Sequence, residues 1–120
     1  MIFRRLKTGK SLGNAGEQLA AQHLNRQGFL ILDRNYRCPL GELDIIARKN
    51  QLLVFVEVNT RRSAHYEPPE TAVTRSKQRR IIRLAQFYIK QKKMHGLGCR
   101  FDVIAVHFDD RDRPVIEHIP

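Results

Sequence analysis

The run Leu52-Leu-Val-Phe-Val-Glu-Val58 constrains the fold more than any other stretch of this chain. Leucine, β-branched and aromatic side chains at consecutive positions read as a strand. Both alternating faces are apolar, so the strand needs cover on both sides and belongs at the centre of a sheet with helices packed on it. It is also the longest apolar run in the sequence. A membrane-spanning helix needs about 20 such residues, so no membrane partner is expected.

The neighbouring segments supply the rest of the sheet and its cover. Ala15, Gly16, Leu19, Ala20, His23 and Leu24 recur at helical spacing and mark a first helix, closed by Gly28. Phe29 to Leu32 reads as a short strand, with Asn35 to Leu40 as its irregular exit around Pro39. Gly41 to Arg48 alternates, with Leu43, Ile45 and Ala47 on one side and Glu42, Asp44 and Ile46 on the other. The polar tip Lys49-Asn-Gln51 suits a tight hairpin, since asparagine tolerates the positive φ of a two-residue turn. Arg61 to Pro69 is expected to be a loop, followed by a helix from about Glu70 to Lys93 that Gly96 and Gly98 break. Arg100 to Phe108 forms a further strand, Asp109 to Asp112 a turn, and Pro114 to Ile119 a final edge strand. The order α-β-β-β-α-β-β predicts an α/β fold with a mixed sheet, one domain over residues 1–120, and a mobile basic lead-in at residues 1–11.

Charge narrows the partners. Twenty-two lysines and arginines face 12 aspartates and glutamates, a net charge of +10 over 120 residues. Such an excess attracts polyanions, chiefly nucleic acid or an anionic membrane surface. The basic N-terminus has no apolar segment behind it and does not read as a secretory signal. Cys38 and Cys99 stand apart from each other and from any histidine pair, which reads as free thiols in a reducing, cytoplasmic setting. The five histidines are scattered and receive no role. Asp109, Asp110 and Asp112 lack the other ligands of a calcium loop.

Asp44 and Glu57 carry the chemistry. If the hairpin loop is Asn50-Gln51, Lys49 pairs with Leu52 and the same register sets Asp44 opposite Glu57, with Cβ atoms roughly 5 Å apart. A slip of two residues leaves them diagonal neighbours, and a three-residue loop separates them. Like charges on an apolar sheet need a cation, a proton or arginine partners. A hard divalent ion such as Mg²⁺ suits two carboxylates.

The pieces Gly13-x-x-Gly16-Glu17, Arg34-Asn-Tyr-Arg37, Gly41-Glu-Leu-Asp44-Ile-Ile, Phe55-Val-Glu57-Val, Ala72-Val-x-x-x-Lys77 and Arg100-Phe-Asp-Val-Ile-Ala-Val106 together resemble the YraN family of uncharacterised bacterial proteins. That family is similar in fold to the PD-(D/E)xK nucleases, which include Holliday-junction resolvases and restriction enzymes. The resemblance implies a restriction-endonuclease-like core. It implies that Asp44, Glu57 and the Val58 carbonyl bind a catalytic Mg²⁺ or Mn²⁺, with Glu17 completing the cluster. Glu17 also has capping-box spacing from Asn14, so cap and ligand both stay open. The sequence departs from the motif at Asn59, where the catalytic lysine is expected. An amide can orient a water but carries no charge to stabilise the phosphate.

Lys77 is the candidate replacement. It falls on the apolar stripe Ile81, Ile82, Leu84, Ala85, Tyr88 and Ile89, one turn before Ile81, so it either points at the sheet or snorkels from the stripe's end. Arg79, Arg83, Lys90 and Lys93 fall on the opposite side of that helix. With Arg61, Arg62, Arg75 and Arg80 they make a face suited to a phosphate backbone. Two functions follow as expectations: a Mg²⁺-dependent, endonuclease-like protein acting on DNA, or a catalytically silent nucleic-acid-binding protein on the same fold. A homodimer remains open, since junction-cutting nucleases pair to make two symmetric incisions.

Overall fold

A computed structural model of the chain describes residues 9–62 and 74–120, with the side chains of residues 9–11 and 62 left out of the description. The elements are α1 (Gly9–Arg26), β1 (Leu30–Cys38), β2 (Gly41–Lys49), β3 (Leu52–Arg62), α2 (Arg75–Lys92), β4 (Gly98–Phe108) and β5 (Pro114–Ile119). The five strands form one sheet in the order β1-β2-β3-β4-β5. The β3–β4 pair is parallel and the others are antiparallel, so the sheet is mixed as expected.

β3 is central and buried on both faces. Val54 and Val56 pack with Ala20, Leu24 and Ile104 on the α1 side, while Leu53 and Phe55 pack with Ile81, Leu84 and Tyr88 on the α2 side. The β2–β3 hairpin turns at Asn50, whose φ is 54°, and Lys49 pairs with Leu52. Gly16 sets the approach of α1: a Cβ built there lies 1.9 Å from the Thr60 Oγ1, so only hydrogen lets the helix lie this close to β3.

Several expectations need correction. Helix α1 starts at Gly9, so residues 9–11 are helical, and only residues 1–8 of the expected lead-in lie outside the description. Residues Asn35 to Cys38 belong to β1 despite the left-handed φ of 53° at Asn35. They stay in the sheet because Tyr36 is buried, stacked edge-on against Tyr88 at 5.1 Å and donating to Gln91 at 2.8 Å. Leu43 packs in the α2-side cluster, not with Ile45 and Ala47, which lie on the α1 side. The departure falls beside Asp44, where the β2–β3 ladder ends.

Arg61 and Arg62 extend β3 beside His107 and Phe108 of β4, and the remainder of the expected loop, residues 63–69, lies outside the description. Helix α2 starts at Arg75 because Thr74 caps it, its hydroxyl accepting from the Lys77 N–H at 3.1 Å. Of its expected start, residues 70–73 lie outside the description. On its apolar stripe Ile81, Leu84 and Tyr88 are buried, but Ile82 is 56% exposed, since the sheet it would have to reach is already covered by its neighbours. β4 begins at Gly98, two residues early, because the Gly98 N–H bonds the Gln51 carbonyl at 2.8 Å. Among the described residues no helix is long and apolar enough to cross a membrane.

Candidate functional site

The site lies at the end of β3 remote from the hairpin. The ladder between β2 and β3 runs from Lys49–Leu52 to Ile45–Val56 and ends there, so Asp44 and Glu57 stand one position beyond its last paired rung. There the Asp44 Oδ2 accepts the Val58 N–H at 2.7 Å. That bond ties the carboxylate of one strand to the backbone of the other at the point where the strands part. Burial pushes the Asp44 carboxyl above the ordinary carboxylate range. The Val58 N–H opposes this, Glu57 and Glu42 add to it, and Lys77 opposes it weakly.

Glu57 follows Leu53 and Phe55 on the α2 side of β3. Its Oε1 pairs with the Lys77 Nζ at 2.5 Å, with side-chain exposures of 15% and 27%. Lys77 is thus held by the first turn of α2 against the sheet, and the partner of Glu57 is this lysine, where the alternative to a metal was an arginine. Among the described residues the other oxygen, Oε2, is buried without a hydrogen-bond partner, and so is the Nδ2 of Asn59 two residues along the same strand. Buried polar atoms without partners are rare and strongly unfavourable, so this side of β3 is short of ligands for an acceptor and a donor.

Glu17 stands inside α1, eight residues past its start, and so does Asn14, which removes the capping-box reading. Its carboxyl is pushed up by burial and by Asp44, and held down by Arg34 and a hydrogen bond from Asn35. Glu17 therefore lies within electrostatic reach of Asp44, on the α1 side. The donor chemistry fits a hard divalent ion: Asp44 and Glu57 lie within electrostatic reach of each other, and Glu57 keeps a buried oxygen with no hydrogen-bond partner among the described residues. Among the described residues, no group of three His, Cys, Asp or Glu side chains is gathered closely enough to hold a metal ion.

The basic residues divide by position. Arg79, Arg80 and Arg83 line a cleft of about 380 Å³ with Leu40 and Ser76, at the same end of α2 as Lys77. Arg75 is exposed beside them. Helix α2 has no acidic residue in its first turn, so cations sit where the helix dipole already leaves positive charge, an arrangement an anion relieves. Lys90 and Lys93 are exposed at the other end, roughly 20 Å away by helix rise. Arg61 is half-buried at the end of β3, and the Arg62 side chain lies outside the description.

Sequence reasoning missed a second polar cluster. Asp102 of β4 is fully buried and bonds the Arg100 Nε at 2.7 Å and Nη2 at 2.9 Å. It also meets the His118 Nε2 at 2.7 Å, and the His118 Nδ1 meets the His23 Nε2 at 3.2 Å. The available signal was an aspartate inside the apolar run Arg100-Phe-Asp-Val-Ile-Ala-Val, since a buried carboxylate demands cationic partners.

A family model described as "Uncharacterised protein family UPF0102" matches residues 16–106. The chain is 49% identical to a UPF0102 protein of Syntrophotalea carbinolica over 120 residues, covering all of this chain and 94% of the other. It is 49% identical to a UPF0102 protein of Geobacter metallireducens over 111 residues, covering 92% and 90%. It is 47% identical to a UPF0102 protein of Dictyoglomus thermophilum over 97 residues, covering 81% and 82%. The solved structure of Pyrococcus furiosus SfsA in complex with Ca²⁺ aligns with a TM-score of 0.45 at 15% identity. That alignment covers 92% of this chain and 63% of SfsA, so the chain spans less than two thirds of its length.

Proposed function

The chain belongs to the uncharacterised protein family UPF0102, and from that premise we propose that it is a metal-dependent, endonuclease-like protein acting on DNA. The observation that supports this most directly is the pairing of Lys77 with Glu57. It delivers an ammonium from α2 to the acidic site that Asn59 leaves without a motif lysine. Asp44, Glu57 and the Val58 carbonyl would hold Mg²⁺ or Mn²⁺, with Glu17 as the outer carboxylate. The bound ion would supply Lewis-acid stabilisation and an activated water for phosphodiester hydrolysis.

The chain's own residues do the rest. Lys77 neutralises charge growing on the phosphate, and the Asn59 amide donates its free N–H to a water or a phosphate oxygen. Arg75, Arg79, Arg80 and Arg83 hold the strand by its backbone beside the site, and Arg61, Arg62, Lys90 and Lys93 extend the basic face. The second reading, a silent nucleic-acid-binding protein, is favoured by the uncharged Asn59 at the position of the motif lysine.

Cleavage assays on duplex, branched and single-stranded DNA with Mg²⁺ or Mn²⁺ separate the two. Wild type cuts, Lys77→Ala loses about ten- to a thousandfold, equivalent to roughly 1.4–4 kcal/mol, and Asn59→Lys adds little. If neither wild type nor Asn59→Lys cuts while DNA binding persists, the silent binding protein is the correct account.

A further inference from the structure

At the hairpin end of the sheet, on the α1 side, lies a cleft of about 600 Å³ that shares no residue with the acidic site. Lys49, Arg100 and His118 line it, with Phe29 and Leu52 as apolar wall and the turn residues Asn50 and Gln51 at its rim. No carboxylate of the described residues lines it. The acid that belongs to it, Asp102, is fully buried behind and takes both the Nε and Nη2 of Arg100 and the Nε2 of His118.

This is a built arrangement of donors. A buried carboxylate fixes the guanidinium and the imidazole while leaving the third guanidinium nitrogen, Nη1, with no bond to any described residue. Lys49 is fixed as well, its Nζ donating to the Gln27 carbonyl at 2.8 Å and lying 5.3 Å from the centroid of the Phe29 ring. Fixed cations around a cleft without a lining acid call for an anion. A bare phosphate leaves most of a 600 Å³ cleft empty, and the volume lies in the range of small-molecule sites. An apolar wall beside the cations and amide donors at the rim match a base and a phosphate on one ligand.

The geometry points to a second binding site here, for a nucleoside monophosphate, its phosphate held by Lys49 and Arg100 and its base laid against Leu52 and the rim. The ligand is either a free nucleotide or the phosphorylated end of a strand. The two sources share this chemistry, and neither depends on the proposed cleavage activity.

Calorimetry and amide NMR on the full chain test it, with deoxyadenosine monophosphate, deoxyadenosine, inorganic phosphate and a 5′-phosphorylated oligonucleotide as separate probes. The monophosphate binds and moves the amides of Lys49, Leu52 and Arg100. The nucleoside and inorganic phosphate each bind at least about tenfold more weakly. Lys49→Gln weakens the monophosphate about tenfold or more, as expected for a lost charge-assisted hydrogen bond, and its exposed position leaves the fold intact. Asp44→Asn leaves that affinity unchanged. Competition by the oligonucleotide identifies the strand end as the source, and lack of competition identifies the free nucleotide. The proposal is overturned if the nucleoside binds as well as the monophosphate, if inorganic phosphate does, if Lys49→Gln has no effect, or if only α2 amides respond.

Discussion

Asp44 accepts the Val58 N–H and lies among Glu57, Glu42 and Glu17, with Lys77 the cation that opposes them at Asp44 itself. Its carboxyl is therefore raised above its ordinary value of 3.8, burial being the main cause. In the unfolded chain it loses its proton first. Between the ordinary value and the raised one the folded state binds more protons, so stability falls as pH rises through that window and stays reduced above it. Asn keeps an oxygen for the Val58 N–H and removes the charge. Asp44→Asn is expected to raise the Tm at neutral pH by a few degrees, about 1 kcal/mol, and to flatten the loss of stability above pH ~4. It is also expected to abolish any stabilisation by Mg²⁺. Thermal melts across pH, with and without the ion, measure both, and a lower Tm shows instead that Asp44 is a structural partner.

The docking of α1 on β3 depends on one missing Cβ. A methyl group at Gly16 meets Thr60 on a β-branched side chain with little rotamer freedom, inside a paired strand. Gly16→Ala is expected to destabilise by about 1–3 kcal/mol, and Thr60→Ala in the same chain to recover part of that, a coupling that a double-mutant cycle in urea reports. Much at this scale was legible beforehand. Asn50 announced its hairpin and the two-faced run around Phe55 announced the central strand, and the observed register agrees up to Ile45–Val56, one position short of Asp44 and Glu57. What escaped notice had physical reasons. Asn35 and Pro39 read as punctuation, while long-range burial of Tyr36 keeps the chain in the sheet between them. The Gly-rich start of α1 has low intrinsic helix propensity, which hid its first turns. Asp102, Arg100, His118 and His23 come from three elements and have no common spacing, so only the fold brings them together.

Across the whole molecule, the excess of +10 acts on folding and on binding with opposite sign. Self-repulsion opposes the compact state, so added salt is expected to raise the Tm through screening. DNA affinity is expected to fall linearly on a log–log plot against salt, since counterions are released on association. The double substitution Arg79→Ala and Arg83→Ala relieves both effects. It is expected to reduce the salt slope of binding by about one to two units, near 0.9 per lost phosphate contact, and to make the Tm less sensitive to salt. Fluorescence anisotropy and thermal melts over the same salt series test this, and affinity that ignores salt removes nucleic acid as the partner.

The connections between strands also set an order of events in time. β1, β2 and β3 follow one another through turns at residues 39–40 and 50–51, and β4 meets β5 across residues 109–113. The parallel β3–β4 pair alone closes through a crossover that contains α2. Closing that longer loop is entropically the most demanding contact in the sheet, and it sets the pace of folding. Asp44 and Glu57 come together by local hairpin closure, whereas Lys77 rides on the crossover. As the chain emerges from synthesis, the two carboxylates meet before their counter-ion arrives, and residues that speed docking of the crossover helix shorten the interval in which that charge stands exposed.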